Sequence, residues 1–163
     1  MSEYLIEQVK TKAIPIFKTI FPNCIVLFAF DNSSNHAAYR SNALVASRMN
    51  LKPGGKQPKM RDMIFGPDNH HQSMVNENNE LKEMKQVLIE RGLWKDGLNA
   101  DCQLCKNKIE DMNRIDCCAR RIISLQLDFL SQKSELEEVI LEAGHKCIFY
   151  PKFYCELNFI ERY

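Results

Sequence analysis

Seven apolar residues in unbroken succession, Cys24-Ile25-Val26-Leu27-Phe28-Ala29-Phe30, set the strongest limit on how this chain folds. The length of the run and its β-branched and aromatic members predict a strand, and apolarity at every position predicts burial on both faces. A strand of that kind belongs inside the sheet of an α/β fold. It ends abruptly in Asp31-Asn32-Ser33-Ser34-Asn35-His36. A second short strand is predicted over Lys146-Cys147-Ile148-Phe149-Tyr150, ended by Pro151.

The remaining elements follow from helical spacing and punctuation. Leu5, Ile6, Val9, Ala13, Ile16, Phe17 and Ile20 predict an amphipathic helix over 3–20, kinked or restarted at Pro15. Further helices are predicted over 37–49, over 80–91 with Gly92 as the stop, and over 118–126. Another is predicted over 132–143, capped by Ser131 and ended by Gly144, and the start of a last one over 156–163. The stretch 50–79 is rich in Gly, Pro and Asn and reads as a long loop, a feature that is usually functional or mobile. Trp94 reads as a packing anchor for the 80–91 helix, and His70-His71 as plain polar loop.

The chain has 163 residues, enough for a single core, and a net charge of +1, so no global imbalance points to nucleic acid or membrane. No apolar run reaches the length of a membrane span. Met1-Ser2-Glu3-Tyr4 lacks the pattern of a secretory signal, so an intracellular, reducing compartment is expected. There the seven cysteines are not expected to form a disulfide framework.

Two carboxylates stand out by position. In open α/β sheets functional groups gather at the carboxyl ends of the strands. Asp31 follows the first strand directly, and Glu161 lies in the segment after the second. If the strands are parallel neighbours, both acids reach one edge, where a divalent cation would offset their repulsion. Spacing alone favours the plainer alternative, Asp31 as a turn cap and Glu161 as a solvated helix residue.

A family resemblance changes that balance. The block from Phe28 to His36 resembles the strand and D-N-x-x-x-H segment around the second aspartate of mariner-like DDE transposases. The block from Phe149 to Glu161, with Leu157-Asn158-Phe159-Ile160-Glu161, resembles the segment carrying their final glutamate. The chain around them, including Arg48 to Pro58 and Asp116 to Ile123, is similar to fungal transposable-element proteins of this type. The resemblance implies an incomplete ribonuclease-H-like α/β catalytic core over 1–163, with 50–130 as a loop and cysteine-rich insertion. It implies Asp31 and Glu161 as catalytic ligands of Mg²⁺ or Mn²⁺, transposon-end DNA as partner, a homo-oligomer in the complete protein, and nuclear action. No residue here matches the family's first aspartate, so the chain alone is expected to be inactive.

The cysteines form a second constellation. Cys102-Gln103-Leu104-Cys105 is a C-x-x-C pair suited to two of zinc's four tetrahedral thiolates. Cys117 and Cys118 follow, but adjacent residues are expected to point in different directions. Cys117 or Cys118 is therefore the third ligand expected, with a fourth such as His145 or Cys147. Alternatively, Cys118 and Cys147 pack as small apolar residues. A structural zinc would stabilise an insert that has few large apolar side chains. Finally, Arg48, Lys52, Lys56, Lys59 and Arg61 form a basic stretch without acids, fit to contact DNA phosphates or simply to be solvated. The competing functional class is a repurposed DNA- or protein-binding module without catalysis, built around the cysteine insert.

Overall fold

A computed structural model describes residues 2–33, 36–66, 68–107 and 113–151. The chain divides into two compact units: unit 1 combines Met1–Arg40 with Lys133–Tyr163, and unit 2 is the continuous stretch Ser41–Gln132. The described elements are short helices and two small two-stranded sheets.

In unit 1 the N-terminal helix forms in three pieces: α1 (Ser2–Gln8), a π-helical turn (Val9–Ala13) and α2 (Ile14–Ile20). The Ile14 N–H donates to the Val9 carbonyl. This wider turn keeps Val9 and Ile14, five residues apart, on the buried side with Ile6. Ile16 and Ile20, which regular helical spacing assigns to the same stripe, are instead 57% and 61% exposed. Pro15 is the second residue of α2, directly after the π-helical turn, so the helix runs on through it in a shifted register.

The strand β1 (Leu27–Phe30) pairs in parallel with β4 (Lys146–Phe149), Phe28 opposite Cys147 and Phe30 opposite Phe149. One face of this pair, carrying Phe28, Phe30, Cys147 and Phe149, packs on Ile6, Val9, Ile14 and the buried side of α7 (Glu135–Glu142). Burial on both faces is not observed: Leu27 is 53% and Ile148 43% exposed. Among the described residues only one face carries a helical layer, so the pleat alternates inside and outside despite the uniform apolarity.

The cap of α7 also differs from the expectation. Ser131 ends α6 (Leu127–Leu130), and it is Ser134 whose Oγ accepts the Glu137 N–H at 3.3 Å. Glu135, Glu137 and Glu138 in the first turn complement the helix dipole, and Gly144 (φ +84) closes the other end. Replacing Ser134 with Ala is expected to cost about 1 kcal/mol in urea unfolding. An unchanged midpoint would show that the cap contributes nothing.

In unit 2 the helix expected over 37–49 is absent except for a 3₁₀ turn at Ala46–Arg48. Tertiary partners take its backbone groups instead. The Leu44 N–H donates to the Gln132 side chain, the Asn42 carbonyl accepts the Arg61 N–H, and Arg120 holds the carbonyls of Ala46 and Met49. The stretch 50–79 is likewise more ordered than its composition suggests. It contains the antiparallel pair β2 (Met63–Phe65) and β3 (His70–Gln72), and Asn76 folds 76–80 by accepting the N–H groups of Asn78 and Glu80.

The expected 80–91 helix begins only at α3 (Met84–Glu90), because Leu81 is drawn into a bridge with Val75. Gly92 (φ +67) ends it, and the Trp94 N–H returns to the Leu88 carbonyl, in keeping with an anchoring role. The 118–126 segment yields the helix α5 (Ala119–Ser124), followed separately by α6. Met49, Met60, Met63, Met74 and Met84 are all buried in the core with Leu88, Ile123 and Phe129. Flexible thioethers suit a core whose walls are mostly irregular chain.

Candidate metal centre

The helix α4 (Gln103–Lys106) is a single turn with Cys102 at its N-cap in extended conformation. The Lys106 N–H closes the turn on the Cys102 carbonyl at 3.0 Å, which brings Cys105 back beside Cys102. The second half-site lies at the start of α5, with Cys118 as its N-cap. The first N–H groups of α5, those of Ala119 and Arg120, donate to the carbonyls of Asn99 and Ala100. Orphan helix donors thus dock the two half-sites together.

Adjacent cysteines on regular extended chain would diverge, but residues 115–118 are bent, and the Cys117 and Cys118 sulfurs lie 3.9 Å apart. Both therefore face one centre. Cys102–Cys117 and Cys105–Cys117 are each 3.6 Å, Cys118–Cys105 is 3.8 Å, and all four Sγ atoms lie within 4.8 Å of one another. A tetrahedron with metal–sulfur bonds of about 2.3 Å has edges of about 3.8 Å. These separations are far too long for disulfides, and all four are free thiols. The set can hold one metal ion through four sulfurs. It needs neither His145 nor Cys147, which belong to unit 1. His145 is buried against Phe17 and Phe28. Cys147 packs in the unit 1 core, where burial pushes its thiol up to about 11.

Electrostatics also suit a cation. The Cys105 N–H, with thiol contacts from Cys105 and Cys117, draws Cys102 down to about 6. Burial and the neighbouring sulfurs push Cys105 up to about 12, and Cys117 is raised by burial and by the Cys102 and Cys118 sulfurs. One thiolate is favoured and further ones are opposed, the behaviour of a site short of positive charge. The Arg114 guanidinium, 3.9 Å from Cys102 Sγ, supplies part of that charge. Arg120, which the sequence reading passed over, donates to Asp101 Oδ1 at 2.7 Å and so joins the residue before Cys102 to the residue two after Cys118. Its only sequence signal is that adjacency.

The other predicted site residues are dispersed. Asp31 lies just past β1, and its Oδ1 is 2.6 Å from His36 Nδ1, while the His36 ring rests on Phe30. Glu161 lies outside the described residues. Of the basic stretch, Lys52, Lys56 and Lys59 are exposed. Arg48 sits half-buried in the 3₁₀ turn, and Arg61 bonds the Asn42 side chain at 3.0 Å. His71 lies 3.5 Å from Asp62, and His70 packs on Phe65.

No protein-family model, curated protein or solved structure matches the chain.

Proposed function

We propose that this chain is part of a DDE-type transposase catalytic region whose cysteine centre holds a structural zinc ion. The reaction class is metal-dependent cleavage and strand transfer of phosphodiester bonds in DNA. Asp31 and Glu161 are its metal-binding carboxylates, and Arg48, Lys52, Lys56, Lys59 and Arg61 its phosphate contacts.

The observation that carries this reading is the parallel register of β1 and β4. Parallel neighbours end on one edge. Asp31 therefore leaves β1 on the side from which the chain bearing Glu161 leaves β4. Mg²⁺ or Mn²⁺ bound there would polarise the phosphate and activate a water or 3′-hydroxyl. His36 holds Asp31 from one side. The role of the zinc is structural, because four thiolates in a closed tetrahedral set leave no open position for substrate.

The carboxylate site is tested with Mn²⁺ as a paramagnetic probe. Mn²⁺ is expected to broaden the amide resonances of Asn32, Ser33 and His36 in the wild-type chain and not in Asp31→Ala. Two protein carboxylates fix an ion poorly, and misplacement by about an ångström costs on the order of a hundredfold in rate. The chain alone is therefore expected not to nick supercoiled plasmid with either metal. Equal broadening in both proteins would remove Asp31 from the site, and Asp31-dependent nicking would show that two carboxylates suffice.

The second reading, a binding module without catalysis, is favoured by the cysteine centre itself, which is complete within unit 2. It requires that Asp31→Ala change neither Mn²⁺ nor DNA binding.

A further inference from the structure

We infer that metal occupancy of the cysteine centre governs how firmly unit 2 holds its basic segment, and hence its grip on DNA phosphates, with Arg120 as the mechanical link. The DNA half of this inference rests on reading 48–61 as a phosphate contact; the link itself does not.

The connection is traced bond by bond inside unit 2. Arg120 lies two residues beyond Cys118. Its Nε donates to Asp101, the residue before Cys102. Its Nη1 donates to the carbonyls of Ala46 and Met49, the latter at 3.2 Å. One guanidinium therefore clasps both cysteine half-sites to the turn from which the basic segment departs. A planar fork with fixed donor directions can satisfy three acceptors at once; an ammonium cannot do so in the same geometry.

The segment beyond is held by a short set of bonds from the same place. The Asn50 carbonyl accepts the Met84 N–H at 2.8 Å, and the Asn50 N–H donates to Gln57 Oε1 at 2.8 Å. Gln57 Nε2 in turn reaches the Lys82 carbonyl at 2.8 Å. This closes 50–57 into a loop that presents Lys52 and Lys56 to solvent, with Lys59 just beyond.

Metal binding fixes Cys102 relative to Cys118. That fixes Asp101 relative to Arg120, and so the three acceptors that Arg120 must reach together. Without the metal, the half-sites are held by thiol contacts, by the Asn99 and Ala100 carbonyls and by the Arg120–Asp101 bond itself, with no bond joining the sulfurs to one centre. The clasp then loses its fixed geometry, and ordering the basic loop becomes a cost of binding DNA. Linkage makes the effect reciprocal: DNA must tighten the metal by the factor by which the metal tightens DNA.

The test uses the full chain in four forms: zinc-loaded wild type, chelator-treated wild type, and zinc-loaded Arg120→Lys and Asp101→Ala. Zinc content is checked in each. The first readout is hydrogen exchange at the Asn50 and Met84 amides, with the β2–β3 pair as internal control. Chelation and both variants are expected to speed exchange at Asn50 and Met84 about tenfold, within the usual range of such couplings, and the zinc-loaded variants are expected to leave the hairpin unchanged. If chelation loosens the whole unit, the variants that retain zinc decide. If Arg120→Lys does not fold, Asp101→Ala decides, because it cuts only the tie to the first half-site.

The second readout is anisotropy of a labelled DNA duplex across a salt series. Affinity is expected to fall about fivefold in every form with faster exchange. Lys52→Gln and Lys56→Gln should each lower the salt slope by about one without altering exchange. Unchanged exchange at Asn50 and Met84 in zinc-loaded Asp101→Ala and Arg120→Lys overturns the link, whatever DNA does. Faster exchange with no duplex binding by the zinc-loaded wild type leaves the link standing and removes the phosphate reading alone.

Discussion

Stripping the metal from the zinc-loaded chain is expected to lower the unfolding midpoint of unit 2 by tens of degrees. Four sulfurs at tetrahedral separations bind only when the chain is folded around them, so binding free energy becomes folding free energy. At free zinc about a thousandfold above the dissociation constant, linkage gives about 4 kcal/mol. For a unit of this size that is on the order of 15–30 °C. The effect should spread beyond 102–118, because Cys118 is fully buried and Ala119, Ile122 and Ile123 continue directly into the core. Cys105→Ser should melt where the chelated wild type melts, and chelator should lower it no further. Zinc uptake should also release protons, since Cys105 and Cys117 are held protonated without a cation, and affinity should fall as pH falls. Scanning calorimetry with elemental analysis checks these points. Purification without bound zinc, together with a midpoint indifferent to chelator, would return the four cysteines to simple packing.

What the sequence reveals of this site, and what it hides, depends on how far the responsible contacts reach along the chain. Cys102 and Cys105 are legible because a C-x-x-C pair is closed by one local turn, which any chain can make. The use of both Cys117 and Cys118 is not, because it depends on a bend at 115–118 in which Asp116 is the one favoured turn residue, and that does not specify where the two sulfurs point. Arg120 is invisible for a different reason: two of its acceptors, at Ala46 and Met49, lie more than seventy residues earlier. Gly92 and Gly144 are legible helix stops, both at positive φ, because the left-handed cap is a local demand that glycine meets.

The same distinction applies to the fold. Of the seven-residue run read as strand, Leu27–Phe30 forms one and Cys24–Val26 do not, because the pairing with β4 begins only at Leu27. The strand's burial is not legible in the run, since cover depends on which layers are present. The helix expected over 37–49 fails because Asn42, Ala46 and Met49 give their carbonyls to Arg61 and Arg120, a tertiary choice that overrides helical spacing. The paired carboxylates stay a proposal: Asp31 sits at the end of β1, and Glu161 lies outside the described residues.

Removing Asp128 is expected to cost about 3–5 kcal/mol, among the largest single-residue losses in unit 2, because it strands a charge that cannot reach water. The Arg91 side chain is 1% exposed and that of Asp128 8%. Their bidentate pair, at 2.6 and 3.1 Å, joins the end of α3 to the start of α6, while Arg91 Nε donates to Gln72 on β3 at 2.9 Å. The guanidinium lies 4.4 Å from the Phe65 ring centre and 5.9 Å from that of Phe129, so apolar faces flank the charge. With Asp128→Ala the guanidinium keeps its desolvation cost and loses its counter-ion. Arg91→Met is expected to be less severe, since the carboxylate is nearer the surface and also accepts the Phe129 N–H. The double variant Arg91→Met with Asp128→Leu should recover most of the loss, because a buried ion pair and a packed apolar pair of similar volume are nearly equivalent in free energy. Urea unfolding of Arg91→Met, Asp128→Leu and the double variant forms a thermodynamic cycle, with Asp128→Ala measured beside it. A loss below about 1 kcal/mol for Asp128→Ala is the signature of a solvated surface pair, and would mean that water reaches Arg91 despite its burial.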